Sequence, residues 1–234
     1  MAKKNICVTA ILALAASLWA GDTASFVDLG FSSDGRTYMF AQYGVQSGTL
    51  KPWADLFVVD VPRNNFVAGG KISYFHDTPV VAGQDGSGAL YRIISRNASI
   101  ADQYRIDFCR QGQPLYVSLE NDNGSRGETI EFRDFESGDF YRASLVPFTE
   151  GSGSTLQSSF YIDLEKVSGN GSRRTYTMGA PRLKRPLVVS YRIRKVMTAP
   201  RDGSSIIFVI EMKKQAAPGS DVDIRYMVET AKLP

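Results

Sequence analysis

The chain has 234 residues, 43% of them hydrophobic and 11% aromatic, which is enough to bury a core and too apolar for a disordered segment. Its 27 basic and 24 acidic residues give a formal charge of +3, and a cut after Ala20, which removes Lys3 and Lys4, leaves 25 against 24, a balance that argues against nonspecific nucleic-acid binding. A single histidine, His76, all but excludes imidazole-based zinc sites, catalytic triads and most general acid–base schemes.

Residues 1–24 read as a secretory signal peptide. Met1 to Lys4 is a basic head, residues 6–20 are an almost uncharged apolar run, and small residues follow at Ala20, Gly21 and Ala24. The run is shorter than the roughly 20 residues a bilayer span takes, and no later run approaches that length. No transmembrane segment is therefore expected after signal removal. Cys7 sits at the front of the run, which rules it out as a lipoprotein acylation site, and Cys109 is left alone without a disulfide partner. These features predict one exported β-rich domain over residues 25–234, periplasmic or secreted.

The mature part reads as short strands at residues 38–43, 56–61, 115–119, 129–135, 140–147, 159–164, 187–196, 205–212 and 224–230. All are rich in Val, Ile, Tyr and Phe, and most of the gaps between them carry Gly, Asp, Asn, Ser or Pro. Asp34-Gly35, Ser137-Gly138-Asp139 and Asp202-Gly203 read as tight turns, because Gly and Asp tolerate positive φ at low cost. Residues 89–104 break the pattern. Leu90, Ile93, Ile94, Ala98, Ala101 and Tyr104 fall at helical spacing, with Arg92, Arg96 and Asp102 between them. The fold class is mainly β, an antiparallel sandwich-like body with one amphipathic helix; a small propeller-like arrangement is the alternative. Residues 31–40 and 199–208 resemble each other. Each has a Phe six residues after an Asp (Asp34, Asp202), and a second Asp (Asp55, Asp223) follows twenty-one residues after the first. The two stretches are either related units or hairpins that share a spacing.

No catalytic, cofactor-binding or metal-binding residue stands out. Cys109 could in principle pair with His76 as nucleophile and base, but after Ile106 and Phe108 it reads as a small buried hydrophobe. Ser87 and Ser152 lie in Gly-rich turns without a nucleophile elbow. Residues 83–88 open the helix without the Lys of a P-loop or the third Gly of a dinucleotide loop, and read as a turn and cap. Residues 120–128 invite a calcium reading, but aligning Gly124 with the loop glycine puts Leu119 and Ile130 at the end ligands. Glu128, Glu131, Asp134 and Glu136 supply carboxylates, with nothing that singles out a pair for hydrolysis.

The densest charge is Arg182, Lys184, Arg185, Arg192, Arg194 and Lys195, with no acid among them. On a regular strand Arg192 and Arg194 share one face, while Leu187, Val189, Tyr191 and Ile193 take the other. The functional reading is an anion or partner patch for an acidic glycan, a lipid headgroup or an envelope protein. The bland reading is a solvated strand face protected by charge. Two function classes stay open: an exported non-catalytic binding or envelope-associated module, and a carboxylate-dependent hydrolase acting in the periplasm or outside the cell.

Two resemblances follow from particular residues. The stretch from Phe31-Ser-Ser-Asp-Gly-Arg36 to Asp55-Leu-Phe-Val-Val-Asp60 resembles one blade repeat of TolB-like β-propellers. Most of the mature chain resembles an uncharacterised family of predicted secreted bacterial proteins, spirochaetes among the sources. That likeness is carried by Asp28 to Arg36, Phe40-Ala-Gln-Tyr-Gly44, Glu131-Phe-Arg-Asp-Phe135 and Ile224-Arg-Tyr-Met-Val-Glu-Thr230. It implies export and one shared architecture, and it supplies no activity.

Overall fold

The computed structural model describes residues 21–81, 83–119, 128–200 and 204–233. The signal-peptide run, the Asp202-Gly203 turn and residues 120–127 of the acidic loop lie outside these. The chain forms three antiparallel sheets and two helices, stacked as layers around three apolar cores.

The first sheet is a meander of β1 (Ser25–Ser32), β2 (Thr37–Val45), β3 (Pro52–Asp60) and β4 (Asn65–Phe75), and β5 (Ile106–Asp107) is added at the β1 edge. Gly35, at φ +70°, closes the β1–β2 turn with its N–H donating to the Ser32 carbonyl at 2.9 Å. The Asp34 carboxylate accepts from Ser32 Oγ and the Arg36 N–H, which confirms that turn. Side chains alternate across a strand, and both faces of this sheet are covered. Tyr38, Phe40 and Phe57 point into one core, and Met39, Ala41 and Leu56 into another. That burial on both sides is why β2 and β3 read as almost unbroken apolar runs.

The second core packs against the helices. The expected single helix is two, α1 (Ser87–Arg96) and α2 (Ala98–Gln103), divided at Asn97. The Asn97 side-chain amide donates to the Ile93 carbonyl at 2.8 Å, and its backbone sits at φ −120°, outside the helical region. Ala89, Leu90, Ile93 and Ala101 supply the buried stripe.

The second sheet is the meander β7 (Glu128–Arg133), β8 (Phe140–Glu150), β9 (Gln157–Val167) and β10 (Arg173–Met178), and the two-residue β11 (Arg185–Pro186) also pairs with β9. Only one of its faces is buried, so its strands alternate cleanly. Ile130, Phe132, Ala143, Leu145, Ile162 and Leu164 point in, while Glu131 faces Arg142 outside at 3.8 Å. Gly138, at φ +75°, turns β7 into β8 as expected.

Between these two sheets lies a third, ordered β14-β13-β12-β6, built from β6 (Gln113–Val117), β12 (Val188–Thr198), β13 (Ser205–Gln215) and β14 (Val222–Lys232). Ile206, Phe208 and Ile210 face the β7–β10 sheet, and Ile207 and Val209 face the β1–β4 sheet. The body is therefore helices, sheet, sheet, sheet. It is sandwich-like, and none of the sheets closes on itself.

Strand β12 departs from the regular alternation expected of it. Bulges between Val188 and Ser190 and between Ile193 and Lys195 insert Val189 and Arg194 as extra residues. Tyr191 and Ile193 are core, but Val188 takes the buried place expected for Val189, which is exposed. Cys109 also differs from expectation. It lies exposed in the turn after β5, with its N–H on Asp107 Oδ1.

Candidate functional site

Strand β14 is an edge of the middle sheet, and an edge strand turns a row of N–H and C=O groups outward. Here part of that row is taken. The Ile224 N–H donates to the Asp22 carbonyl at 2.8 Å, and the Ile224 carbonyl accepts from Ala24 at 3.1 Å. The Tyr226 N–H donates to Gln42 Oε1 at 2.7 Å, and the Thr230 N–H to Asn64 Oδ1 at 2.8 Å. The register with β13 is unbroken, so Val228 presents its N–H and C=O to the same side. They have no partner among the described residues.

A groove of about 510 Å³ opens over this edge. One wall is the β1–β4 sheet, the other is the connection from β10 to β11, and β14 is the floor. An irregularity in β4 shapes the first wall. Phe57 pairs with Lys71 and Val59 with Phe66, so residues 67–70 bulge out opposite Val58. Gly69 is at φ +70°, and a Cβ on Gly70 would lie 2.5 Å from the Val58 carbonyl oxygen. Glycine is favoured at positions 69 and 70, and the bulge brings Phe66 and Lys71 together on the groove wall.

The wall is aromatic from core to surface. Ring centroids are 4.4 Å apart for Phe31 and Tyr38, 5.8 Å for Tyr38 and Phe40, 4.7 Å for Phe40 and Phe57, and 5.6 Å for Phe57 and Phe66. The stack ends at Phe66, which is 45% exposed. Across the groove Leu183 is 56% exposed.

The charges differ in how they are held. Asp55 accepts from Gln42 Nε2 at 3.0 Å and Ser73 Oγ at 2.6 Å. Glu229 accepts from Asn64 Nδ2 at 2.5 Å and lies 3.8 Å from Arg185. Burial raises the Glu229 carboxyl above its usual range, against the pull of Asn64 and Arg185. Arg225 pairs with Asp22 and Asp223 and lies over the Trp53 ring, 4.2 Å from its centroid. Lys71 and Lys214 also line the groove, and neither makes a side-chain hydrogen bond or ion pair among the described residues. The groove therefore carries two uncommitted ammonium groups beside an exposed aromatic ring, while both of its carboxylates are engaged internally.

The structure scatters the six basic residues singled out in the sequence. Arg185 alone lines the groove, with its guanidinium 5.1 Å from the Phe160 ring centroid. Lys184 meets Glu150 at 2.5 Å, Arg194 meets Glu211 at 3.3 Å, and Lys195 meets Asp28 at 2.9 Å between two sheets. Arg192 donates to Ser118 Oγ and the Leu119 carbonyl. Arg182 is exposed. Arg194 reaches Glu211, the residue paired with Arg192 across the strands, and the bulge at Arg194 shifts the parity of the residues that follow it.

The remaining candidates sit in structural roles. His76 Nδ1 accepts from the Thr78 N–H at 3.0 Å. Asp85 accepts the N–H and hydroxyl of Ser87, so a carboxylate of the chain itself occupies the place an anion would take at the start of α1. Glu128 caps the Ile193 N–H at 2.8 Å, and Asp134 caps its own hairpin turn. Among the described residues no group of three His, Cys, Asp or Glu side chains is placed to hold a metal ion. No described helix is long and apolar enough to cross a membrane.

Sequence reasoning passed over Phe66, Lys71, Lys214 and Glu229. Two signals pointed to them. A Gly-Gly pair inside a strand-like run marks a bulge, and Gln42 and Glu229 are polar residues inside apolar strands.

Residues 39–232 match the model of a family described as predicted secreted protein (DUF2259), and the chain belongs to that family. No curated protein and no solved structure matches it.

Proposed function

We propose that this member of a predicted secreted family is a non-catalytic binding module, with the groove over β14 as its site and an anion as its ligand. Residues 25–234 would act as one exported domain, in the periplasm or outside the cell. The observation that carries this reading is the contrast of charges in the groove: Lys71 and Lys214 are uncommitted, while Asp55 and Glu229 are tied. A hydrolase needs its two carboxyls free to face a substrate bond. Here Glu229 is spent on holding the walls to the floor, and Asp55 on bonds within its own wall. The groove's volume falls in the small-ligand range of roughly 300–1,000 Å³.

The Arg182 to Lys195 segment is the competing anion surface, and one experiment separates the two. Retention of the full mature chain on a sulfated resin is measured at two salt levels, because exposed charge contacts weaken as screening shortens their reach to about 8 Å at physiological strength. The Lys71→Gln/Lys214→Gln variant should elute early, and Arg192→Gln/Arg194→Gln should elute with the parent. The reverse order moves the site to the strand face. A parent that is not retained at low salt removes the anion reading altogether.

A further inference from the structure

The groove's chemistry goes further than charge, and the step below rests on the reading just given. Three classes of anionic occupant have different requirements. An acidic peptide added as a strand needs a run of free edge amides. Over the groove floor, strand β14 offers a single one between Ile224 and Thr230, at Val228, because the amides at 224, 226 and 230 are already bonded to Asp22, Gln42 and Asn64. A membrane surface needs a convex apolar or basic face, whereas here the two lysines line a groove about 510 Å³ in volume. A sugar ring needs a flat apolar surface for its C–H face, fixed polar groups for its hydroxyls and, if it is acidic, a cation for its carboxylate.

The groove supplies all three. Phe66 presents an exposed ring held in place by its stack on Phe57. Asn65 lines the same wall, and the floor offers the N–H and C=O of Val228, itself only 9% exposed. A buried amide without a partner is costly, and a hydroxyl or a water that a ligand holds in place meets its need. Lys71 follows the β4 bulge on the Phe66 wall, and Lys214 comes from β13. We infer that the groove binds a short uronic-acid oligosaccharide, with a ring on Phe66, hydroxyls on Asn65 and Val228, and carboxylates on Lys71 and Lys214.

The test uses calorimetric titration of the full mature chain with three probes: trigalacturonate, its neutral counterpart galactotriose, and tetraglutamate. The expected result is that trigalacturonate binds most tightly. Lys71→Gln and Lys214→Gln should each weaken it about tenfold, and Phe66→Ala should weaken it by at least as much, with unchanged melts. Phe66→Leu, which keeps the apolar bulk but loses the flat ring, should also lose affinity for the sugar. Three results overturn the uronate assignment: tetraglutamate binding as tightly as trigalacturonate, no trigalacturonate binding at all, or a sugar affinity indifferent to Phe66. If the lysine variants still bind anions less well in any of these cases, the groove remains an anion site of another class. If they bind like the parent, the underlying reading falls as well.

Discussion

Glu229 joins three layers through one carboxyl. It accepts from Asn64 on the β3–β4 turn and faces Arg185 beside the β7–β10 sheet, while its own strand belongs to the middle sheet. Burial raises its pKa, so the folded chain holds that proton more tightly than the unfolded chain. Its contribution to stability is thus full below the ordinary value of 4.5 and is lost as pH rises through the raised folded value. A Glu229→Gln variant should show a flatter melting temperature across that window, and an unchanged slope would assign the titration to another group. Asp134 has the opposite sign. Burial raises its carboxyl, but hydrogen bonds from the Glu136 and Ser137 amides, the Ser137 hydroxyl and Gln113 outweigh this and hold it low. Its stabilising effect is present above 3.8 and lost as pH falls through the depressed value. Asp134→Ala leaves the turn amides without an acceptor and should cost about 2 kcal/mol in denaturant unfolding at pH 7. The Glu229 role was not legible in the sequence. Asn64 and Glu229 are 165 positions apart and Gln42 and Tyr226 are 184 apart, and local patterns carry no information at that range.

Elements were read best where one physical cause dominated. Strands β7 to β9 have one wet face, so their alternation marked them. Strand β1 was missed because it follows the signal-like run directly, and β10 because Arg173, Arg174 and Thr175 all lie exposed. The helix was found, but its break at Asn97 depends on a side chain competing for a backbone carbonyl, which apolar spacing does not register. Bulges account for the largest differences. One extra residue at Arg194 exchanges the faces of everything after it, and the four-residue bulge in β4 creates a groove wall from a segment outside the expected strands. Gly70→Ala tests the latter. The added methyl meets the Val58 carbonyl, so Phe66 and Lys71 should shift. Ligand affinity should then fall by more than the change in melting temperature explains. Gly35→Val is the control at a tight turn. It forces a β-branched residue to φ +70° and should cost roughly 1–2 kcal/mol without touching the groove. A variant that melts like the parent would contradict the turn.

At the scale of the molecule, the sandwich-like class was legible because short antiparallel strands dominate the chain. The third layer was not. The unbroken run of Ile206, Ile207, Phe208, Val209 and Ile210 is the signature of a strand buried on both faces, but periodicity alone does not say what lies above and below it. Truncation after Gly219 removes β14 and with it Val228 from one core and Met227, Ala231 and Leu233 from the other. The shortened chain should be insoluble or cut rapidly by protease, and a soluble, resistant product would make β14 dispensable. The middle sheet has a further consequence, one of timing. Strands β12 to β14 are made last, yet they fill the space between two sheets made first. A chain emerging N-terminus first has all of β1–β4 and β7–β10 in hand before either meets its partner surface. Until β12 to β14 appear, both sheets display bare apolar faces that can stick to each other or to neighbouring chains. The faces that the two sheets turn toward each other are therefore covered only once β12 to β14 have joined them.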